Sequence, residues 1–155
     1  MRYFRMLNLS LNTYAHLLFI ITIFCALIAE VILIDKAVQR KTIKKLSLID
    51  GVYGLAALLV LGTGLLNWMV FGKGTTYYNS NTLFLIKISL FIIVGLLSIY
   101  PTVMIARAKK LLKKHSAEEV SLPNAMKMRK FIIAELIIMS CIPLLAELMA
   151  NGIDF

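Results

Sequence analysis

The side chains that carry most enzyme and metal chemistry are scarce in this sequence. Histidine occurs twice, cysteine twice and tryptophan once, and acidic residues number 8 against 17 basic ones. Cys25 and Cys141 have no CxxC or Cys–His spacing beside them. A disulfide framework or thiolate metal site is therefore not expected, and each cysteine reads as a small buried hydrophobe. There is no GxSxG turn, no P-loop and no histidine pair at metal-binding spacing, so the hydrolase and kinase classes have no signature here. Apolar and polar residues do not alternate at period two along any long stretch, which argues against a membrane β-barrel.

What the chain has in quantity is apolar sequence. Hydrophobic residues make up 60% of its 155 positions. They fall in four runs, at about 14–34, 52–71, 83–106 and 131–150. Each holds about 20 residues, the length a helix needs to cross a ~30 Å hydrocarbon layer at ~1.5 Å per residue. The fold expected is all-α: a single integral membrane domain over 1–155, built as a bundle of four transmembrane helices. The first run is too long for a signal peptide. Glu30 also stands where small cleavage-site residues would fall, so this run is expected to be retained.

Charge placement gives the topology. Lys36, Arg40, Lys41, Lys44 and Lys45 lie between runs one and two, and Arg107, Lys109, Lys110, Lys113, Lys114, Lys127, Arg129 and Lys130 flank runs three and four. Together they are 13 of the 17 basic residues, all on one side of a four-span chain. The positive-inside bias makes that side cytoplasmic and puts both termini outside. A basic cluster bracketed by spans attracts anionic lipid headgroups; no nucleic-acid partner is expected.

Local signals fill in the rest. The second run is rich in small residues, and Gly54, Ala57, Leu61 and Gly64 share one face, smooth enough for close helix approach. Pro101 and Pro143 interrupt runs three and four and predict kinks. The segment "KKLLKKHSAEEVSLPN" extends the third helix before a turn near Pro123, and its Ser116 and Glu119 fit a capping box. In "FGKGTTYYNSN", Gly72 and Gly74 suit a sharp turn, Tyr77 and Tyr78 suit the interface, and Ser80 or Asn81 can cap the third helix.

Ionisable residues inside the runs form two layers around an uncharged middle. His16, Lys87 and Glu147 lie toward the outer side, with Lys73 on the nearby loop; Glu30, Asp50 and Glu135 lie toward the basic side. The basic-side acids have ready partners in neighbouring Lys and Arg. Lys87 stands near a helix N-terminus, where a cation is disfavoured. It either snorkels to the surface or meets an anion, Glu147 or a ligand carboxylate. His16, Ile20, Ile23, Leu27 and Glu30 share a face, so both polar groups are expected to point into the bundle.

The segments "DGVYGLAALLVLGTGLLNW" and "FGKGTTYYNSNTLFLIKISLFIIVGLLSIYPT", with the histidine and glutamate of the first run, closely resemble a bacterial family of small inner-membrane proteins of unknown function, domain-of-unknown-function family 2214. That family often carries arginine where this chain has Asn67. More distantly the layout is similar to HemJ-type protoporphyrinogen oxidases and copper-resistance D-type membrane proteins, with His16 and Lys87 at matching places. The tryptophan-glycine segment after the histidine and the oxidase's Asn-Glu-x-Pro run are missing. The resemblance implies b-type haem or another tetrapyrrole, with His16 on the iron, Lys87 or Lys73 near the propionates, and membrane quinone as a redox partner. His115 lies on the other side and cannot be a second axial ligand.

Three functions follow as expectations. One is a haem or tetrapyrrole redox protein. Another is a proton-coupled transporter using Glu30 or Glu147, which needs a homo-oligomer. The third is an accessory subunit docked on a larger membrane complex through the small face of helix two.

Overall fold

The computed structural model describes residues 2–35, 37–71, 75–115, 119–122 and 124–151. Lys73, Ser116 and Pro123 lie outside them, as do the glycines expected to turn the outer loop. Four long helices dominate: α1 (Arg2–Leu33), α2 (Arg40–Leu66), α4 (Thr82–His115) and α5 (Ala125–Ala150). A short α3 (Thr75–Asn79) stands between α2 and α4. All four long helices have the length and hydropathy to cross a membrane. The chain is thus a four-span helical membrane protein, as its runs require.

Each long helix buries one stripe at three- and four-residue spacing. On α1 it includes Ile23, Leu27 and Glu30; on α5 it runs Met128, Ile132, Glu135, Met139 and Ile142. Remaining apolar side chains such as Leu58, Leu96, Ile137 and Leu144 are exposed, as lipid-facing positions should be. Cys25 and Cys141, expected to be buried, are free thiols on exposed faces, because both positions fall off the stripes.

α1 packs chiefly on α2 and α4 chiefly on α5, giving two hairpins, and α1–α5 and α2–α4 contacts close the ring. The helices outrun the apolar runs at the basic end. α2 starts at Arg40 instead of 52 and α5 at Ala125 instead of 131, while α4 runs on to His115, the extension expected of its lysine-rich end. The extra turns are amphipathic: Ile43, Leu46, Leu112 and Met128 are buried inside while lysines face out, so a hydropathy run stops short of the helix.

The links at this end form a two-stranded antiparallel ribbon, β1 (Ala37–Gln39) with β2 (Glu119–Ser121), in the register Ala37 to Ser121, Val38 to Val120 and Gln39 to Glu119. The ribbon ties the two hairpins and satisfies backbone groups that loops would leave unpaired. Glu119, expected in a capping box, is a strand residue instead. Val38 and Leu122 are buried beneath the ribbon and finish the core. At the other end Asn81 caps α4 as expected, its Oδ1 accepting the Phe84 N–H at 3.0 Å. Pro101 and Pro143 sit inside α4 and α5 without ending either helix.

Candidate functional site

At the terminal end, polar residues on α1 and α2 interlock. Asn12 Nδ2 donates to the Thr63 carbonyl at 2.9 Å and to Asn67 Oδ1 at 2.8 Å. His16 Nδ1 lies 2.7 Å from Thr63 Oγ1. The Thr63 hydroxyl already donates to the Leu59 carbonyl at 2.7 Å. With that hydrogen engaged, the Thr63 oxygen accepts from a protonated Nδ1, the tautomer that leaves Nε2 with a lone pair. His16 Cε1 lies 3.5 Å from where a Cβ on Gly64 would stand, an ordinary van der Waals distance, so the imidazole rests against α2 here. Just beyond, Asn67–Phe71 is a π-helical turn, a form common at functional positions.

Asn12 and His16, like Thr63 and Asn67, are four residues apart on their helices. Matching polar steps on adjacent spans were the signal that could have revealed this tie. Interhelical hydrogen bonds in membranes average about 0.6 kcal/mol. Thr63→Val is accordingly expected to lower the thermal unfolding temperature in detergent only slightly, and Asn12→Ala, which loses two bonds, by more. An unchanged melting curve for both would show that the tie adds nothing to stability.

Lys87 is half-buried on α4, its Nζ 5.3 Å from the Phe84 ring centroid and within electrostatic reach of His16. Phe84 also meets Trp68 and Tyr78, at 5.4 and 5.0 Å between centroids. Glu147 is not the partner expected for Lys87. It is exposed near the end of α5, with Oε1 accepting a bond from Asn151 Nδ2 at 3.0 Å. Lys73 lies outside the described residues.

The basic-side layer departs further from expectation. Glu30 is 2% exposed and Glu135 is fully buried. Among the described residues neither meets a lysine or arginine, because both stand on core stripes while the basic side chains project outward. Tyr53 donates its hydroxyl to Glu135 Oε2 at 3.0 Å. Glu135 Oε1 and Glu30 Oε1 are buried with no hydrogen-bond partner. Thr102 on α4 donates to Asp50 Oδ1 at 2.7 Å. Glu30 lies within electrostatic reach of both Asp50 and Glu135. Three helices thus bring three carboxyl groups together, and α4 adds hydroxyls. Among the described residues, no three His, Cys, Asp or Glu side chains are placed to hold a metal ion.

Beside this cluster is a cavity of about 330 Å³ between α2 and α4. Asp50, Tyr53, Ser98 and Thr102 supply its polar lining, and Phe91, Val94, Ile99 and Met139 are among its apolar walls. The volume falls at the lower end of small-molecule sites, ~300–1,000 Å³. At Gly54 the small face of α2 does not meet a neighbouring helix. No atom lies within 4 Å of a Cβ built on Gly54 or on Gly95 of α4. Facing small residues leave a gap here instead of drawing the backbones together, and Gly54, Ala57 and Gly95 all border it.

Fold and site together define a small helical membrane protein with a carboxyl cluster inside its bundle. The chain belongs to the family described as "Predicted membrane protein (DUF2214)", whose model matches residues 9–154. No curated protein and no solved structure matches it, so the likeness to oxidases and copper-resistance proteins gains no support.

Proposed function

We propose that this protein is a proton-exchanging carrier of hydrophobic cations in a bacterial inner membrane, with its basic end cytoplasmic. One observation carries the reading: among the described residues Asp50 is the sole charged one lining the α2–α4 cavity, and buried Glu30 and Glu135 stand behind it. Taking an ion out of water costs several kcal/mol unless a counter-charge is supplied. No basic side chain among the described residues supplies one here, which leaves protons or a cationic guest. When the two compete for one carboxyl group, movement of either drives the other. Phe91 adds a ring face suited to a cation, and the apolar walls select a hydrophobic one. Alternating access needs two arrangements around the site, and a homo-oligomer supplies the moving surface that four helices lack.

Tetrapropylammonium is a suitable probe, because it carries a permanent charge and no exchangeable proton. Liposomes holding the protein, with an acidic interior and a basic exterior, should accumulate it above the level of empty liposomes. Collapsing the pH gradient should release it. Equal uptake with and without the gradient would overturn the reading.

A second reading has His16 binding haem b or another tetrapyrrole, with quinone as the electron partner. It is supported by the Nδ1 bond to Thr63, which leaves Nε2 available to iron, and by Lys87 nearby for a propionate. It ranks second because His16 is packed on Gly64 and is not among the lining residues of the cavity. Bound haem would supply one-electron chemistry. A Soret band lost in His16→Ala would establish it, and colourless protein from cells fed haem precursor would exclude it.

A further inference from the structure

A second groove runs along α2 at the basic end, lined by Lys44, Ser47, Leu48, Gly51, Val52 and Leu55, with Lys109 reaching over from α4. Its two halves differ in chemistry. Lys109 Nζ donates to Ser47 Oγ at 2.8 Å, which holds this ammonium over α2. Lys44 lies one turn away on the same side of α2, and among the described residues no acidic one lines the groove. Further into the membrane the lining turns apolar. Leu48, Val52 and Leu55 are exposed, and no atom lies within 4 Å of a Cβ built on Gly51.

We infer that this groove is a binding site for one anionic phospholipid, with its phosphate between Lys44 and Lys109 and an acyl chain over Gly51, Val52 and Leu55. Charge complementarity selects the headgroup: two lysines and a serine line the head of the groove, and they offer ammonium and hydroxyl donors to phosphate oxygens. Length selects the chain. From Lys44 to Leu55 the helix rises about 16 Å at ~1.5 Å per residue, close to the ~15 Å depth of one leaflet of a ~30 Å hydrocarbon layer. Free phosphate fills the head of the site only. A zwitterionic lipid fills the groove but brings no net charge to the lysines. The site is separate from the Asp50 cavity and does not depend on any transport activity.

The test is native mass spectrometry of the delipidated full-length protein in detergent, titrated separately with phosphatidylglycerol, phosphatidylcholine and inorganic phosphate. One phosphatidylglycerol is expected to bind ahead of any phosphatidylcholine. Each lysine near a membrane surface contributes about 1 kcal/mol to anionic-lipid attraction, so Lys44→Ala with Lys109→Ala should weaken binding on the order of 25-fold. Gly51→Leu, which keeps both charges and blocks the chain, should weaken it as well. Lys127→Ala, outside the groove, should not. Equal binding of the two lipids, phosphate binding as tight as lipid, or full retention in the double variant would each overturn the assignment.

Discussion

Liposomes carrying Asp50→Asn are expected to accumulate no more tetrapropylammonium than empty ones. Asparagine keeps the shape of aspartate, and its Oδ1 can still accept the Thr102 hydroxyl that now bonds Asp50 at 2.7 Å. The variant should therefore fold and melt like the parent. What it loses is the negative charge at the cavity wall and the proton that charge exchanges. Removing one partner of a desolvated charge pair costs about 2–5 kcal/mol, a fall in affinity of about 30-fold or more. Glu30→Gln and Glu135→Gln are expected to be milder for binding, because neither lines the cavity, but to change the pH dependence of uptake, because each lies within electrostatic reach of Asp50. Full uptake by a well-folded Asp50→Asn protein would remove Asp50 from the site.

Gly95→Leu should block uptake by filling the space the solute uses. A Cβ at Gly95 meets no atom within 4 Å, so the larger side chain has room to enter the cavity of about 330 Å³ that this residue lines. At least a tenfold loss of tetrapropylammonium binding is expected, with little change in melting. Gly62→Leu is the matched control. It is also a helical glycine with no atom within 4 Å of its Cβ, and it lies outside the cavity lining. Uptake should survive it. If Gly95→Leu transports like the parent, the solute binds elsewhere.

The bundle could be read from the sequence because lipid imposes one dominant rule: about 20 apolar residues per crossing. The two polar layers were also legible, since an ionisable residue inside an apolar run is conspicuous. Partnerships were harder. Glu30 and Glu135 looked destined for nearby lysines because sequence proximity ignores which face of a helix a residue occupies. Their spacing on the core stripes, at Leu27 to Glu30 and Ile132 to Glu135, was the better guide. Glu147 failed as a partner for Lys87 for the same reason: it lies off the buried stripe of α5 and close to the helix end. Uncharged helpers such as Tyr53, Thr63 and Thr102 draw no notice in a hydropathy profile, though Tyr53 is three residues from Asp50 and Thr63 four from Asn67. The β1–β2 ribbon pairs residues eighty or more positions apart, and nothing local in either three-residue strand announces it.

The most direct measurement counts protons. Purified protein in weakly buffered detergent solution is titrated with tetrapropylammonium while a pH-sensitive dye reports release. About one proton should leave for each cation bound by the parent protein, and none from Asp50→Asn. Saturable binding by the parent without any proton release would contradict exchange at the Glu30–Asp50–Glu135 cluster.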